Sequence, residues 1–107
     1  MYKISISVSW GVPKLGTVSK RSCTNLADAF GAELTELRVG QGWSQQHLAT
    51  MLGYNPNYIG SLERGEKSPT LRTLSDLAMA FEKSVSSIIR DAEERLARDR
   101  RRKRSDA

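Results

Sequence analysis

The sequence predicts an all-α domain of five short helices, and three observations carry that expectation. From Leu26 onward apolar residues recur at helical spacing, capping residues stand before each such run, and glycines or polar loops close them. A chain of 107 residues suffices for one such domain with a modest core.

Only the opening departs from this pattern. In "YKISISVSW", Ile4, Ile6, Val8 and Trp10 alternate with serines, which is strand period. "GVPKLGTVSK" then breaks the chain, with a second short strand conceivable around residues 17–19. A lone strand is not stable, so three outcomes stay open: it packs on the core, pairs with a dimer mate, or remains disordered. The environment of Trp10 depends on which.

The first helix follows Leu26, Phe30, Leu34 and Leu37, with Thr24 or Asn25 as its cap and "VGQGW" as its end. Trp43 is expected to pack between the first two helices. Ser44 caps the second helix, "QQHLATML", which Gly53 ends. Asn-Pro-Asn opens the third: proline is tolerated at the first helical position, and Asn55 is placed to accept from the N–H of Tyr58. Gly65 ends it. The fourth runs from about Leu71 to Phe81, buried through Leu71, Leu74, Leu77, Ala78 and Phe81. Ser84 caps the fifth, with Val85, Ile88, Ile89, Ala92 and Leu96 on one side. That helix is expected to fade into "RDRRRKRSDA", a run too polar to bury anything. The chain therefore divides into an N-terminal arm (1–24), a helical domain (25–90) and a basic extension and tail (91–107).

Composition excludes several classes. One cysteine, Cys23, makes no internal disulfide and fits a reducing compartment. No apolar run approaches the roughly 18 residues of a membrane span. Nor does the chain open on a signal-peptide segment. Phosphate loops, paired catalytic carboxylates and triad elements are lacking, so no enzyme, cofactor or small-molecule ligand is expected. His47 has no ligand partner at metal spacing and reads as a surface residue, and Cys23 has no nucleophile signature.

The net charge of +5 is unevenly spread. Residues 1–26 carry four basic groups and no acids, residues 27–89 net −2, and residues 90–107 net +3. The basic excess thus lies in the flanks. Net charge by itself does not establish nucleic-acid binding.

The stretch from "LRVGQGWSQQHLATMLGYNPNYIGSLERG" to Ile89 resembles the helix-turn-helix domain of phage-repressor and Cro-type (XRE) regulators. The motif spans residues 45–64. Ser44, Gln45, Leu48, Ala49, Gly53, Ile59, Leu62-Glu63-Arg64-Gly65, Pro69 and the segment from Val85 to Ile89 fall in order at family spacing. The resemblance implies a lambda-repressor-like fold and double-stranded DNA as partner. It implies base readout by Pro56, Asn57 and Ser61, and backbone contacts from Gln45, Gln46, Tyr58, Arg64 and Lys67. Lys20 and Arg21 are candidates for an arm. Asn57 suits adenine, while Pro56 offers only apolar contact, as with a thymine methyl. Arg38 and Glu63 are implied as a buried structural ion pair, and Asp28, Glu33, Glu36, Asp76 and Glu82 as facing away from DNA. Ala49 must be small where two helices cross.

The expected function is a small, cytoplasmic, nucleoid-associated regulator of bacterial or phage type, acting as a repressor or controller. It is expected to be dimeric, since one module contacts one half-site. Val85, Ile88, Ala92 and Leu96 are the candidate interface, with the N-terminal strand as runner-up. Two alternatives remain: a protein-interaction module on the same fold, and a nonspecific nucleic-acid binder driven by residues 98–104. That basic run also reads as a solvated or partner-binding tail.

Overall fold

The computed structural model describes residues 23–106, with side chains through residue 102. Five helices follow in order: α1 (Leu26–Gly40), α2 (Gln45–Leu52), α3 (Pro56–Glu63), α4 (Leu71–Ala80) and α5 (Val85–Asp106). The N-terminal strand, Trp10, Lys20 and Arg21 lie outside the described residues.

Each helix begins where a side chain satisfies an otherwise free N–H. Asn25 rather than Thr24 caps α1, accepting from Asp28 N–H at 2.9 Å. Ser44 accepts from His47 N–H at 2.9 Å, and Thr70 from Thr73 N–H at 3.1 Å. Ser84 accepts from Ser87 N–H at 3.0 Å. Asn55 caps α3 one residue earlier than its spacing suggests, accepting from Asn57 N–H at 2.7 Å. The Tyr58 N–H instead reaches the Asn55 carbonyl at 2.9 Å, as in a tight first turn.

The ends are as local as the starts. Gly53 sits at φ 80°, a left-handed conformation that costs glycine no Cβ clash. The Tyr54 N–H then bonds the Ala49 carbonyl at 2.9 Å, turning the chain straight from α2 into α3. Glu82 does the same after α4 at φ 56° without being a glycine, and the Lys83 N–H closes onto the Ala78 carbonyl.

α1 lies at the centre, packed on α5 along one side and on α3 on the other, while α2 rests on α3 and α4. Phe30, Leu34, Leu48, Ile59, Leu62, Leu77 and Ile88 fill the core. Ala49 is fully buried, as its helix crossing requires. The tightest crossing is elsewhere. A Cβ on Gly31 would stand 2.4 Å from the Leu62 carbonyl oxygen and 2.5 Å from that of Glu63.

Four expectations are corrected. Leu71, the first residue of α4, is 81% exposed, and the helix enters the core only from Thr73 and Leu74 onward. The Trp43 ring reaches farther than the first two helices, stacking on Phe81 at 5.5 Å. Ile88, Ala92 and Leu96 are buried within this chain, and Val85 packs partly buried on the same core. The face chosen as a dimer interface is therefore the inner face of α5. Finally, α5 does not fade after Leu96 but runs helical to Asp106. Asp99 is only 7% exposed, with its carboxylate accepting the Cys23 N–H at 2.6 Å. Arg95 is also buried, donating to Glu33 at 3.0 Å and to Glu36.

Candidate nucleic-acid interface

α3 is anchored by its inner face and its C-terminal end, and its N-terminal end faces solvent. Ile59 and Leu62 anchor it in the core. Asn55, Pro56 and Asn57 stand exposed at the other end. Pro56 has no N–H to donate, and at the first helical position nothing is lost by that, because an N–H there would have no internal acceptor. The N-terminus of each of α2 and α3 is the positive end of a helix dipole, which favours phosphate oxygens. At α2 the Gln45 and Gln46 N–H groups also precede the first capped N–H, whereas at α3 Asn55 already accepts from Asn57 and Tyr58.

At the far end of α3 a four-residue polar network joins three helices. Arg38 of α1 donates to Glu63 through Nε at 2.6 Å and Nη2 at 3.2 Å, and through Nη1 to the Trp43 carbonyl at 2.7 Å. Gln45, the first residue of α2, donates to the same carboxylate at 2.9 Å. The Glu63 side chain is 5% exposed, so its charge depends on protein donors such as these and little on water. The network fixes the angle at which α3 leaves the core. It occupies one N–H of the Gln45 amide and leaves the second for an external acceptor.

The other flank is held by hydroxyls. The Tyr54 hydroxyl in the α2–α3 turn donates to Asp76 at 2.6 Å, and the Tyr58 hydroxyl meets that of Thr73 at 3.2 Å. The hydrogen bond to Asp76 holds the Tyr54 phenol above its ordinary value. The two tyrosine rings pack tilted at 5.5 Å. The start of α3 is thereby tied to α4.

These contacts sort the site residues expected from the sequence. Pro56, Asn57, Gln46, Arg64 and Lys67 are exposed, and Gln45 and Tyr58 partly so. Ser61 is different: it is 6% exposed, and its hydroxyl donates to the Tyr58 carbonyl at 2.7 Å within the helix. In the unbound chain its hydroxyl is thus engaged inside the helix and turned away from solvent. Arg64 is exposed but paired in a two-pronged contact with Glu66, at 2.8 and 3.2 Å. That bond raises the arginine's pKa and lowers the carboxyl's. A phosphate must therefore displace or share Glu66 to use Arg64. Neither the Tyr54–Asp76 tie nor the Glu66 partner was expected, although the Arg-x-Glu spacing of residues 64 and 66 was a readable sign of the second. His47 is exposed at the start of α2, beside the Trp43 ring.

A short helix, a glycine turn and a second helix with its N-terminal end bare and its other end locked: together the fold and this surface define a helix-turn-helix DNA-binding domain of the transcriptional-regulator class. Comparison with known proteins agrees. The helix-turn-helix family model matches residues 34–88, just over half the chain, and the chain belongs to that family. It is 37% identical over 65 residues to the HTH-type transcriptional regulator SutR of Escherichia coli, a match covering 61% of this chain and only 36% of SutR. The crystal structure of the clp gene regulator ClgR from Corynebacterium glutamicum superposes with a TM-score of 0.71 at 28% identity, covering 75% of this chain and 85% of that one. The restriction-modification controller protein C.AhdI from Aeromonas hydrophila gives 0.56 at 34% identity, over 58% of this chain and 94% of that one. No helix among the described residues is long and apolar enough to cross a membrane.

Proposed function

We propose that this protein is a small cytoplasmic transcriptional regulator that binds a specific double-stranded DNA site as a homodimer, in the manner of a repressor or controller. The observation that carries this reading is the exposed N-terminal end of α3, with Asn57 at its second position and the other end of the helix locked by Glu63. In the major groove that end meets base edges first. Asn57 pairs with adenine and Pro56 packs against a thymine methyl. Gln45, Gln46, Tyr58, Arg64 and Lys67 hold the phosphates, with Lys20 and Arg21 as an arm. One module covers one half-site, so two copies read half-sites about 34–36 Å apart. Because α5 keeps its apolar face for its own core, the two copies pair through another surface.

The net −2 of residues 27–89 favours one rival, a protein-interaction module on the same scaffold. Selection from a random duplex library at near-physiological salt separates the two. An enriched palindrome supports the regulator and a dimer, and sedimentation of the free protein checks the second point. Retention without enrichment supports nonspecific binding. A library that passes through unretained overturns the DNA reading.

A further inference from the structure

The basic end of α5 lies outside the helix-turn-helix, yet it is firmly placed. Two contacts of long sequence separation hold it antiparallel to α1: Arg95 to Glu33 and Glu36, and Asp99 to the Cys23 N–H. Between Arg95 and Arg102 every charged side chain that reaches solvent is an arginine. Arg98, Arg100 and Arg101 are exposed and form no ion pair among the described residues, and Arg102 leans on buried Asp99 at 3.0 Å. The dipole of a helix C-terminus favours cations only in its last turn, and Arg98 and Arg100 stand earlier than that.

Where this end lies is set by a short chain of contacts. From Asp99 the chain passes to Cys23, and next to it the Thr24 N–H and hydroxyl both donate to Asp28 at 3.3 Å. Asp28 in turn packs on Gly65, where a Cβ would stand 2.5 Å from its carboxylate oxygen. Gly65 directly follows Arg64 at the end of α3. The arginines of α5 thus share one end of the molecule with Arg64 and Lys67, and on this placement Asp28 borders the DNA side instead of facing away from it.

We propose that Arg98, Arg100, Arg101 and Arg102 form a second DNA-contacting element, which grips phosphates of the duplex flanking the groove that α3 enters. This rests on the DNA-binding reading above. Guanidinium groups suit phosphate oxygens in paired geometry, and a helix anchored at Arg95 and Asp99 presents them already ordered. The element positions the protein and reads no sequence. Its signature is therefore salt dependence.

The test uses the full chain and the duplex recovered by selection, with and without about one helical turn of flanking sequence. Dissociation constants of the wild type and of R98Q/R100Q/R101Q are measured from 50 to 200 mM salt. Glutamine keeps helix propensity, so circular dichroism and melting should not change. The expected variant binds the same site with a salt slope flatter by about 0.9 for each phosphate it no longer neutralises. Over that fourfold salt range, each phosphate no longer neutralised reduces the fall in affinity about 3.5-fold. Removing the flank should weaken the wild type more than the variant, which keeps only Arg102 of the four. R101Q alone, on the face away from Asp99, should flatten the slope by about 0.9. Equal slopes and affinities for wild type and variants on that duplex overturn this inference and spare the regulator reading. A wild type that retains no duplex overturns both.

Discussion

Gly31 of α1 faces the carbonyl oxygen of Glu63 so closely that a Cβ there would stand 2.5 Å from it, and 2.4 Å from the oxygen of Leu62. Both obstacles are backbone, at the last turn of α3, and neither moves without moving the helix. In a solvent-facing helix, Gly→Ala gains about 1 kcal/mol. Here the sign reverses: Gly31→Ala should cost about 3 kcal/mol, the upper part of the range for overpacking a filled core. Urea melts of the two proteins check it. A stabilised variant would mean that α1 and α3 are farther apart than described.

The Arg38–Glu63 pair carries the second prediction. Glu63→Ala strands a half-buried guanidinium and leaves the Gln45 amide without its acceptor. Breaking a buried pair from one side costs about 3–5 kcal/mol. Gln45→Ala removes one of several donors to the same carboxylate, so it should cost about 1 kcal/mol. A shift below about 0.5 kcal/mol for Glu63→Ala would show that the network is open to water in solution.

What the sequence displays of all this is what a few neighbouring residues decide. Ser44, Gly53, Asn55 and Pro56 set the ends of α2 and α3 through contacts within four residues, and the motif follows from them. The burial of Ser61 follows from no such pattern: its spacing puts this serine among the outer positions of an amphipathic helix, yet in the folded chain it is 6% exposed. α5 is the clearest case. Residues 98–104 look too polar to fold onto anything, yet the helix continues because Glu33 and Cys23, 62 and 76 residues away along the chain, supply partners for Arg95 and Asp99. Pairings of that range leave no periodic trace. Leu71 errs in the opposite direction: its spacing fits the core, but as the first residue of its helix it stays in solvent while Thr73 and Leu74 turn inward.

The Arg95 cluster gives a prediction about pH. Burial lifts the pKa of Glu33 above 4.5, against the opposing hydrogen bond and charge of Arg95, while Asp91 and Glu36 add to the lift. Between 4.5 and that raised value the native state holds a proton that the unfolded chain has released. By linkage, this group makes the protein more stable as pH falls into that window and less stable as pH rises out of it. Glu33→Gln removes the titration. The melting temperature of the wild type minus that of the variant should therefore increase between pH 7.5 and pH 5. A difference that stays constant or shrinks would refute the assignment to Glu33.

The last prediction separates the two polar side chains expected to read bases. Asn57 is exposed at the bare end of α3, whereas the Ser61 hydroxyl is buried and bonded to the Tyr58 carbonyl. On the duplex recovered by selection, Asn57→Ala should flatten the preference at one base pair per half-site by about 1–3 kcal/mol, the worth of a two-bond contact to adenine. Affinity for unrelated duplexes should stay as it was, because phosphate contacts are untouched. Ser61→Ala should leave the preference at every base pair unchanged. Its hydroxyl makes its bond inside the helix, so its removal should appear only as about 1 kcal/mol of stability. Titration of single-base-pair variants of the site with each protein provides the comparison. A preference abolished in Ser61→Ala but kept in Asn57→Ala would mean that α3 rotates on binding to bring its inner face to the groove.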